Sequence, residues 1–258
     1  MNILCIGDVV GESGCEILRR RLPQLKKQYK IDLTIVNGEN SAEGNGITRG
    51  SAEHLFTSGA DVITGGNHTL RRREVHTLLD ESPFLLRPAN YLGDVSGKGY
   101  CLVDLGYVTV AVINVLGTVY MDNMDCPFAC CDTLIEKAKA DGASIIIVDF
   151  HAEATSEKRA LGFYLDSRVT ALVGTHTHVQ TNDMQILPLG TAYATDLGMT
   201  GVRDSVLGVK PEIAIAKMKD KLPVKFQNQA GEAMINGCVI EVDKGTKKAT
   251  AITPINIM

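Results

Sequence analysis

The sequence is poor in aromatic residues and has no long apolar run. It contains no tryptophan, and aromatic residues make up 5% of its 258 positions. Its apolar runs, such as 33–36 and 145–148, are far shorter than the roughly 20 residues that a membrane-spanning helix needs. The N-terminus also lacks a basic segment followed by a long apolar one, as a secretory signal would have. We therefore expect neither a membrane partner nor secretion.

Excess positive charge and a regular cysteine framework are also missing. The formal net charge is -4, so we predict no strong nucleic-acid-binding patch. A small nucleotide remains compatible, because a bound metal can supply positive charge. The seven cysteines are odd in number and irregularly spaced, which is typical of reduced thiols and favours a cytoplasmic protein. Cys126, Cys130 and Cys131 lack the paired spacing of a zinc site.

Apolar runs alternate with amphipathic segments, which predicts an α/β protein. The predicted strands are 2–6, 33–36, 62–64, 108–114, 144–150 and 171–173; the predicted helices are 12–28, 48–58, 71–80, 127–140 and 156–166. Pro23 predicts a kink or a restart in the first helix. Near the C-terminus, 233–242 and 249–255 flank turn residues and predict a β-hairpin. We expect a single domain over 1–258, and the sequence leaves a homo-oligomer open.

Five predicted strands end in side chains that can bind metals or titrate, mostly beside glycine. These side chains are Asp8, Glu39, Asn40, Asn67, His68, His151, His176 and His178. Carboxyl ends of strands line one crevice in an α/β sheet, so the side chains can converge. Each alone has a structural explanation as a helix cap, a turn residue or a packed histidine. Together they predict one metal site.

The pair His176 and His178 is the strongest single signal. Residues two apart point the same way in an extended chain, so both imidazoles can reach one site. The remaining histidines, His54 and His76, fall within predicted helices and are interpreted as surface or packing residues.

Several motifs together resemble those of a known family. They are Gly-Asp-Val-Val-Gly at 7–11, Gly-Glu-Asn at 38–40, Gly-Asn-His at 66–68, Gly-Thr-His-Thr-His at 174–178, and the segments 151–158 and 191–201. Over essentially its full length the chain resembles the bacterial YmdB-like family of the calcineurin-like metallophosphoesterase superfamily. Val10 stands where many superfamily members have histidine, and Glu39 where many have a bridging aspartate. Both features are shared by the YmdB-like pattern.

The resemblance implies a metallophosphoesterase-type sandwich of two mixed β-sheets flanked by helices. It also implies two metal ions that share Glu39. One ion would be held by Asp8, Glu39, Asn40 and His178, and the other by Glu39, Asn67, His151 and His176. The resemblance implies iron, and mixed carboxylate, amide and imidazole ligands suit manganese or zinc as well. His68 would be the proton donor.

The implied activity is hydrolysis of cyclic nucleotides, with 2′,3′-cyclic nucleotides preferred and 3′,5′-cyclic AMP open. Two metals can hold a hydroxide for in-line attack on phosphorus. The main alternative is a regulatory metal-binding protein of the same fold that acts on RNA metabolism or on partners with little turnover. A non-catalytic nucleotide-binding protein is disfavoured, because Gly7, Gly11 and Gly14 do not match the dinucleotide fingerprint. An amidohydrolase would normally place its His-x-His pair on the first strand.

Overall fold

Helices and strands alternate through most of the chain in the computed structural model, which describes residues 1–221 and 223–258. The first third contains β1 (Asn2–Ile6), β2 (Asp8–Val9), α1 (Gly11–Gln28), β3 (Leu33–Asn37), α2 (Arg49–Ser58), β4 (Val62–Thr64), a 3-10 turn (Thr69–Arg71) and α3 (Arg73–Glu81). The middle contains β5 (Tyr100–Asp104), β6 (Thr109–Leu116), α4 (Pro127–Ala140), β7 (Ile145–His151), α5 (Thr155–Tyr164) and β8 (Ala171–Thr175). The last third contains β9 (Gln185–Ile186), β10 (Ala192–Ala194), β11 (Met199–Val202), α6 (Pro211–Asp220), β12 (Ala233–Val242) and β13 (Ala249–Ile257).

The strands form two mixed sheets that pack face to face. One sheet has the order β2-β11-β12-β1-β3-β4, with β13 paired to β12, and the other has the order β5-β6-β7-β8-β10-β9. Apolar residues of both sheets, such as Ile35 and Ile147, share one buried cluster between them. Helices α1 to α3 cover the outer face of the first sheet, and α4 and α5 cover the second. The predicted sandwich of two mixed sheets flanked by helices is therefore confirmed.

Most predicted elements appear within a few residues of their predicted bounds, and the C-terminal hairpin forms between β12 and β13. The restart predicted at Pro23 is wrong, because α1 runs unbroken past it. Pro23 is exposed, so water can satisfy the Arg19 carbonyl group that the proline cannot bond. The flanking Leu22 and Leu25 are buried and keep the helix packed on the sheet. Sequence patterning missed β5, the short strands β2 and β9 to β11, and α6.

The topology places one edge of each sheet at a common crevice. Strands β1, β3 and β4 run parallel in the first sheet, and β6, β7 and β8 run parallel in the second. Their carboxyl ends therefore open toward the same end of the sandwich, as ligand sites in α/β sheets usually do. Within the described ranges, none of the helices is both long and apolar enough to cross a membrane.

Candidate metal centre

The carboxyl ends of five strands bring the seven predicted metal-binding side chains together. Two groups of potential ligands form there, one of Glu39, His151 and His176 and the other of Asp8, Glu39 and His178. Within each group the ligand atoms lie within 4.8 Å of one another, and Glu39 belongs to both. Because Glu39 is buried and shared, its two carboxylate oxygens can face two neighbouring ions.

The two amide side chains complete these groups in different ways. The Asn67 Oδ1 atom lies 3.1 Å from His151 Nε2, so its oxygen faces the first group. The Asn40 Nδ2 atom donates to Glu39 Oε1 at 2.6 Å and lies 3.3 Å from His178 Nε2. Asn40 thus presents its nitrogen to the second group, and a half-turn of the amide would present its oxygen instead.

The arrangement of donor atoms fits bound cations. The Asp8 Oδ1 atom is buried without a hydrogen-bond partner among the described residues. The nitrogens His176 Nδ1 and His151 Nε2 face each other at 3.0 Å, and Glu39 Oε2 lies 3.4 Å from the latter. A Cβ atom at Gly66 would fall 2.2 Å from Glu39 Oε2 and 2.5 Å from His151 Nε2. The absence of a side chain at Gly66 therefore lets its backbone lie close to the side chains of Glu39 and His151.

A buried polar network behind His151 fixes the orientation of its ring. The His151 Nδ1 atom lies 2.9 Å from Thr175 Oγ1, and that hydroxyl donates to Asp149 Oδ1 at 2.7 Å. Because the hydroxyl proton goes to Asp149, its oxygen accepts from His151 Nδ1–H, which turns the Nε2 side of the ring toward Glu39. Asp149 also accepts hydrogen bonds from Asn37 and Thr64. These residues were not among the predicted site residues, although a charged residue inside the apolar run of β7 could have indicated them.

The ionisable groups of the centre perturb one another strongly. Burial raises the pKa of Asp8 to about 6, although His178 and His151 act in the opposite direction. Burial would also raise the pKa of Glu39, but the charge and hydrogen bond of His151 hold that pKa well below its usual value. Burial would lower the pKa of His151, but Glu39 and Asp8 raise it to about 9. Burial and the neighbouring His151 lower the pKa of His176 to about 3. Such perturbation is typical of functional sites.

The loop after β8 departs from the predicted extended chain. His176 and His178 have φ angles of 107° and 63°, in the left-handed region that side chains rarely adopt. The His176 N–H group donates to Asp8 Oδ2 at 3.1 Å, and Thr177 N–H donates to Asp196 Oδ2 at 3.0 Å. The expectation of an extended pair is therefore wrong, and the two imidazoles enter different ligand groups that share Glu39.

A buried ion pair between Lys158 and Asp196 supports the His176–His178 loop. Lys158 Nζ donates to Asp196 Oδ2 at 2.7 Å, and both side chains are fully buried. Asp196 also accepts from Gly198 N–H at 2.8 Å. The Gly198 carbonyl oxygen would lie 2.0 Å from a Cβ atom at Gly7, the residue before Asp8. Asp196 thus ties the His176–His178 loop to the turn that carries Asp8, which gives the motifs at 151–158 and 191–201 a structural role.

His68 lies beside the ligands at the wall of an open pocket of about 610 Å³. Its Nδ1 atom lies 2.9 Å from Asn40 Oδ1 and 3.2 Å from Glu39 Oε1. Its backbone N–H group donates to Glu39 Oε2 at 2.9 Å, so the residue is anchored at two points. The opposite ring nitrogen, Nε2, remains for a ligand in the pocket. His54 and His76 lie in α2 and α3, outside the pocket lining.

The two-sheet sandwich with this group of carboxylate, amide and imidazole side chains defines a protein of the metallophosphoesterase type. A family model described as YmdB-like protein matches residues 4–255, and the chain belongs to that family. The resemblance stated from the motifs is thereby confirmed.

Similar proteins cover the whole chain. The 2′,3′-cyclic-nucleotide 2′-phosphodiesterase of Bacillus subtilis (strain 168) is 48% identical over 257 residues, which cover 100% of this chain and 97% of that protein. A crystal structure of a novel phosphatase from Mycoplasma pneumoniae has a TM-score of 0.94 at 35% identity and covers 100% of this chain and 93% of that one. A 5′-nucleotidase precursor from Thermus thermophilus has a TM-score of 0.59 at 14% identity, with 100% of this chain and 54% of that chain covered. The last likeness shows the fold alone.

Proposed function

We propose that the chain is a dinuclear metal-dependent phosphodiesterase that hydrolyses 2′,3′-cyclic nucleotides, with His68 as the proton donor. The observation that carries the proposal is the pair of ligand groups that share Glu39, with His68 anchored beside them at the pocket wall. The activity for which the Bacillus subtilis relative is named supports the substrate class.

Seven side chains would hold the two ions in this proposal. Asp8, Glu39, Asn40 and His178 would hold one ion; Glu39, Asn67, His151 and His176 would hold the other. We propose iron as the native metal, since mixed oxygen and imidazole ligands suit iron, and they suit manganese or zinc as well. When bound, two such ions polarise a phosphodiester and make a water nucleophile available at neutral pH.

His68 would act on the leaving oxygen. Attack of water on phosphorus breaks the bond between phosphorus and O2′, and the departing alkoxide needs a proton. The His68 Nδ1 atom is engaged with Asn40 and Glu39, so the Nε2–H group is the one that can donate to O2′. The product is then a nucleoside 3′-monophosphate. The His68 ring regains its proton from solvent.

The buried supports keep the chain's own groups in place for this reaction. Thr175 and Asp149 hold the His151 ring with its Nε2 atom toward Glu39. Asp196 holds the backbone between His176 and His178. Such preorganisation matters, because a misplacement of about 1 Å can cost about 10²-fold in rate.

Anaerobic purification with metal analysis, followed by a substrate panel, tests the proposal. The panel contains 2′,3′-cyclic nucleotides, 3′,5′-cyclic AMP, short RNA and a generic phosphodiester. We expect two ions per chain and fastest release of nucleoside 3′-monophosphate from the 2′,3′-cyclic substrates, with slower turnover of 3′,5′-cyclic AMP. Two tightly bound ions without turnover of any cyclic nucleotide would refute catalysis and favour the regulatory alternative.

A further inference from the structure

We infer that the apolar wall of the pocket is a nucleobase-binding subsite, with the Phe226 ring as its stacking surface. We define the apolar wall as Leu207, Val209, Met218 and Phe226, all of which line the same pocket as Glu39, His68 and His178. The inference rests on the proposed function for the identity of its ligand and deepens it by assigning the part of the nucleotide that lies away from the metals.

The apolar wall is continuous with the metal centre through direct contacts. The Leu207 carbonyl oxygen accepts a hydrogen bond from His178 Nδ1 at 3.2 Å, so the wall begins at a ligand residue. Lys210 N–H donates to the Gln227 carbonyl at 3.0 Å, and Gln229 N–H donates to the Gly208 carbonyl at 2.8 Å. These bonds join the segment that carries Phe226 to the segment that carries Leu207.

Three of the four residues of the apolar wall are exposed although their side chains are apolar. Leu207, Met218 and Phe226 are 45%, 64% and 43% exposed, respectively. Apolar residues grouped beside a polar centre mark a ligand-binding groove. The pocket volume of about 610 Å³ lies in the range of about 300–1,000 Å³ that small-ligand pockets usually have.

The shape of the substrate determines which part reaches this wall. With the cyclic phosphate at the ligand groups and the ribose beside it, the base extends toward the apolar end of the pocket. Phe226 is the sole phenyl ring in the described lining. The Lys217 ammonium lies over that ring, 4.3 Å from its centre, and Lys217 is not in the pocket lining. We therefore expect the base to stack on the opposite face.

Stacking on a phenyl ring does not read the hydrogen-bonding edges of a base, since every base has a π face. We therefore expect all four common 2′,3′-cyclic nucleotides to be accepted. Purines should bind more tightly than pyrimidines, because they bury more apolar surface.

The kinetic test compares a nucleotide with a substrate that has no base. For Phe226→Ala, the ratio of kcat/KM on 2′,3′-cyclic AMP to kcat/KM on glycerol 1,2-cyclic phosphate should fall about tenfold, mainly through KM. Phe226→Trp should restore the ratio. Phe163→Ala, at a phenylalanine that is 51% exposed and outside the pocket lining, is the matched control. A ratio in Phe226→Ala equal to that of the control would overturn the inference.

A binding test separates this inference from the proposed function. The chain has no tryptophan, so Phe226→Trp introduces a single tryptophan into the metal-loaded protein, and its fluorescence can be excited selectively over that of the seven tyrosines. Adenosine 3′-monophosphate should quench its fluorescence, and should not quench that of Phe163→Trp. Equal responses in the two variants would overturn the base subsite. Selective quenching without any cyclic-nucleotide turnover would instead support the subsite and refute the proposed function.

Discussion

The two sides of the pocket are built in opposite ways. On the metal side, Asp8, Glu39 and His151 are almost completely buried, and hydrogen bonds from both sheets hold them. On the apolar side, Leu207, Met218 and Phe226 are largely exposed, and α6 contributes only Ala214 to the buried residues described. Groups that perform chemistry need fixed positions, whereas a stacking surface tolerates small displacements. In the proposed enzyme, the buried and hydrogen-bonded groups therefore lie beside the scissile phosphorus–oxygen bond, and the exposed groups lie beside the base.

Glu39→Gln should produce the largest effect, because it removes charge from both ligand groups at once without changing volume. We expect loss of both ions and of measurable turnover, since a neutral amide binds a hard cation far more weakly than a carboxylate does. Metal analysis after desalting measures this loss. Glu53→Gln, at an exposed position on α2, is the control. Two tightly held ions in Glu39→Gln would rule out a shared carboxylate.

His68→Ala should separate chemistry from metal binding on the same side of the pocket. We expect two ions to remain and kcat to fall by about 10²–10⁴, the usual contribution of a positioned general acid. His76→Ala on α3 provides the matched histidine control. If the His68 variant hydrolysed 2′,3′-cyclic AMP as fast as that control, His68 would not be the proton donor.

Lys158→Met should show how much the buried ion pair between Lys158 and Asp196 contributes to the free energy of unfolding. The substitution leaves the Asp196 carboxylate buried without its cation, which typically costs about 3–5 kcal/mol. Denaturant unfolding of the metal-free protein measures the change. Lys139→Met, at an exposed lysine paired with Glu136, should change the free energy of unfolding by less than about 0.5 kcal/mol. Equal destabilisation by the two substitutions would show that the buried pair is unimportant.

The metal side could be predicted from the sequence because its ligands follow apolar strands. The alternation of strands and helices located the ends of β1, β3, β4, β7 and β8, and parallel strands bring such ends to one edge. The φ angles of His176 and His178 could not be predicted, because they depend on hydrogen bonds to Asp8 and Asp196, which are distant in sequence. For the same reason the sequence did not predict the hydrogen bonds that link Asp149 to Thr175, and Thr175 to the ring of His151.

The apolar side could not be predicted, because no local pattern marks it. Leu207 and Phe226 lie in irregular chain, and α6 was not among the predicted helices. Their proximity arises from backbone hydrogen bonds between 208–210 and 227–229, which no periodicity in the sequence reports. Residues that line a pocket are exposed to solvent, as Leu207 and Phe226 are. The periodic burial that identifies core residues in a sequence is therefore absent from this part of the chain.

Met218→Ala should produce the smallest effect and tests whether the whole apolar wall contacts substrate. We expect kcat/KM on 2′,3′-cyclic AMP to fall about fourfold, since contact equal to one buried methylene group is worth about 0.8 kcal/mol. Ile215→Ala is a close control, because Ile215 lies on the same helix, is 56% exposed and is outside the pocket lining. A loss in both variants would indicate an effect on α6 as a whole. A loss confined to Met218→Ala would extend the base subsite from the Phe226 ring to the facing helix.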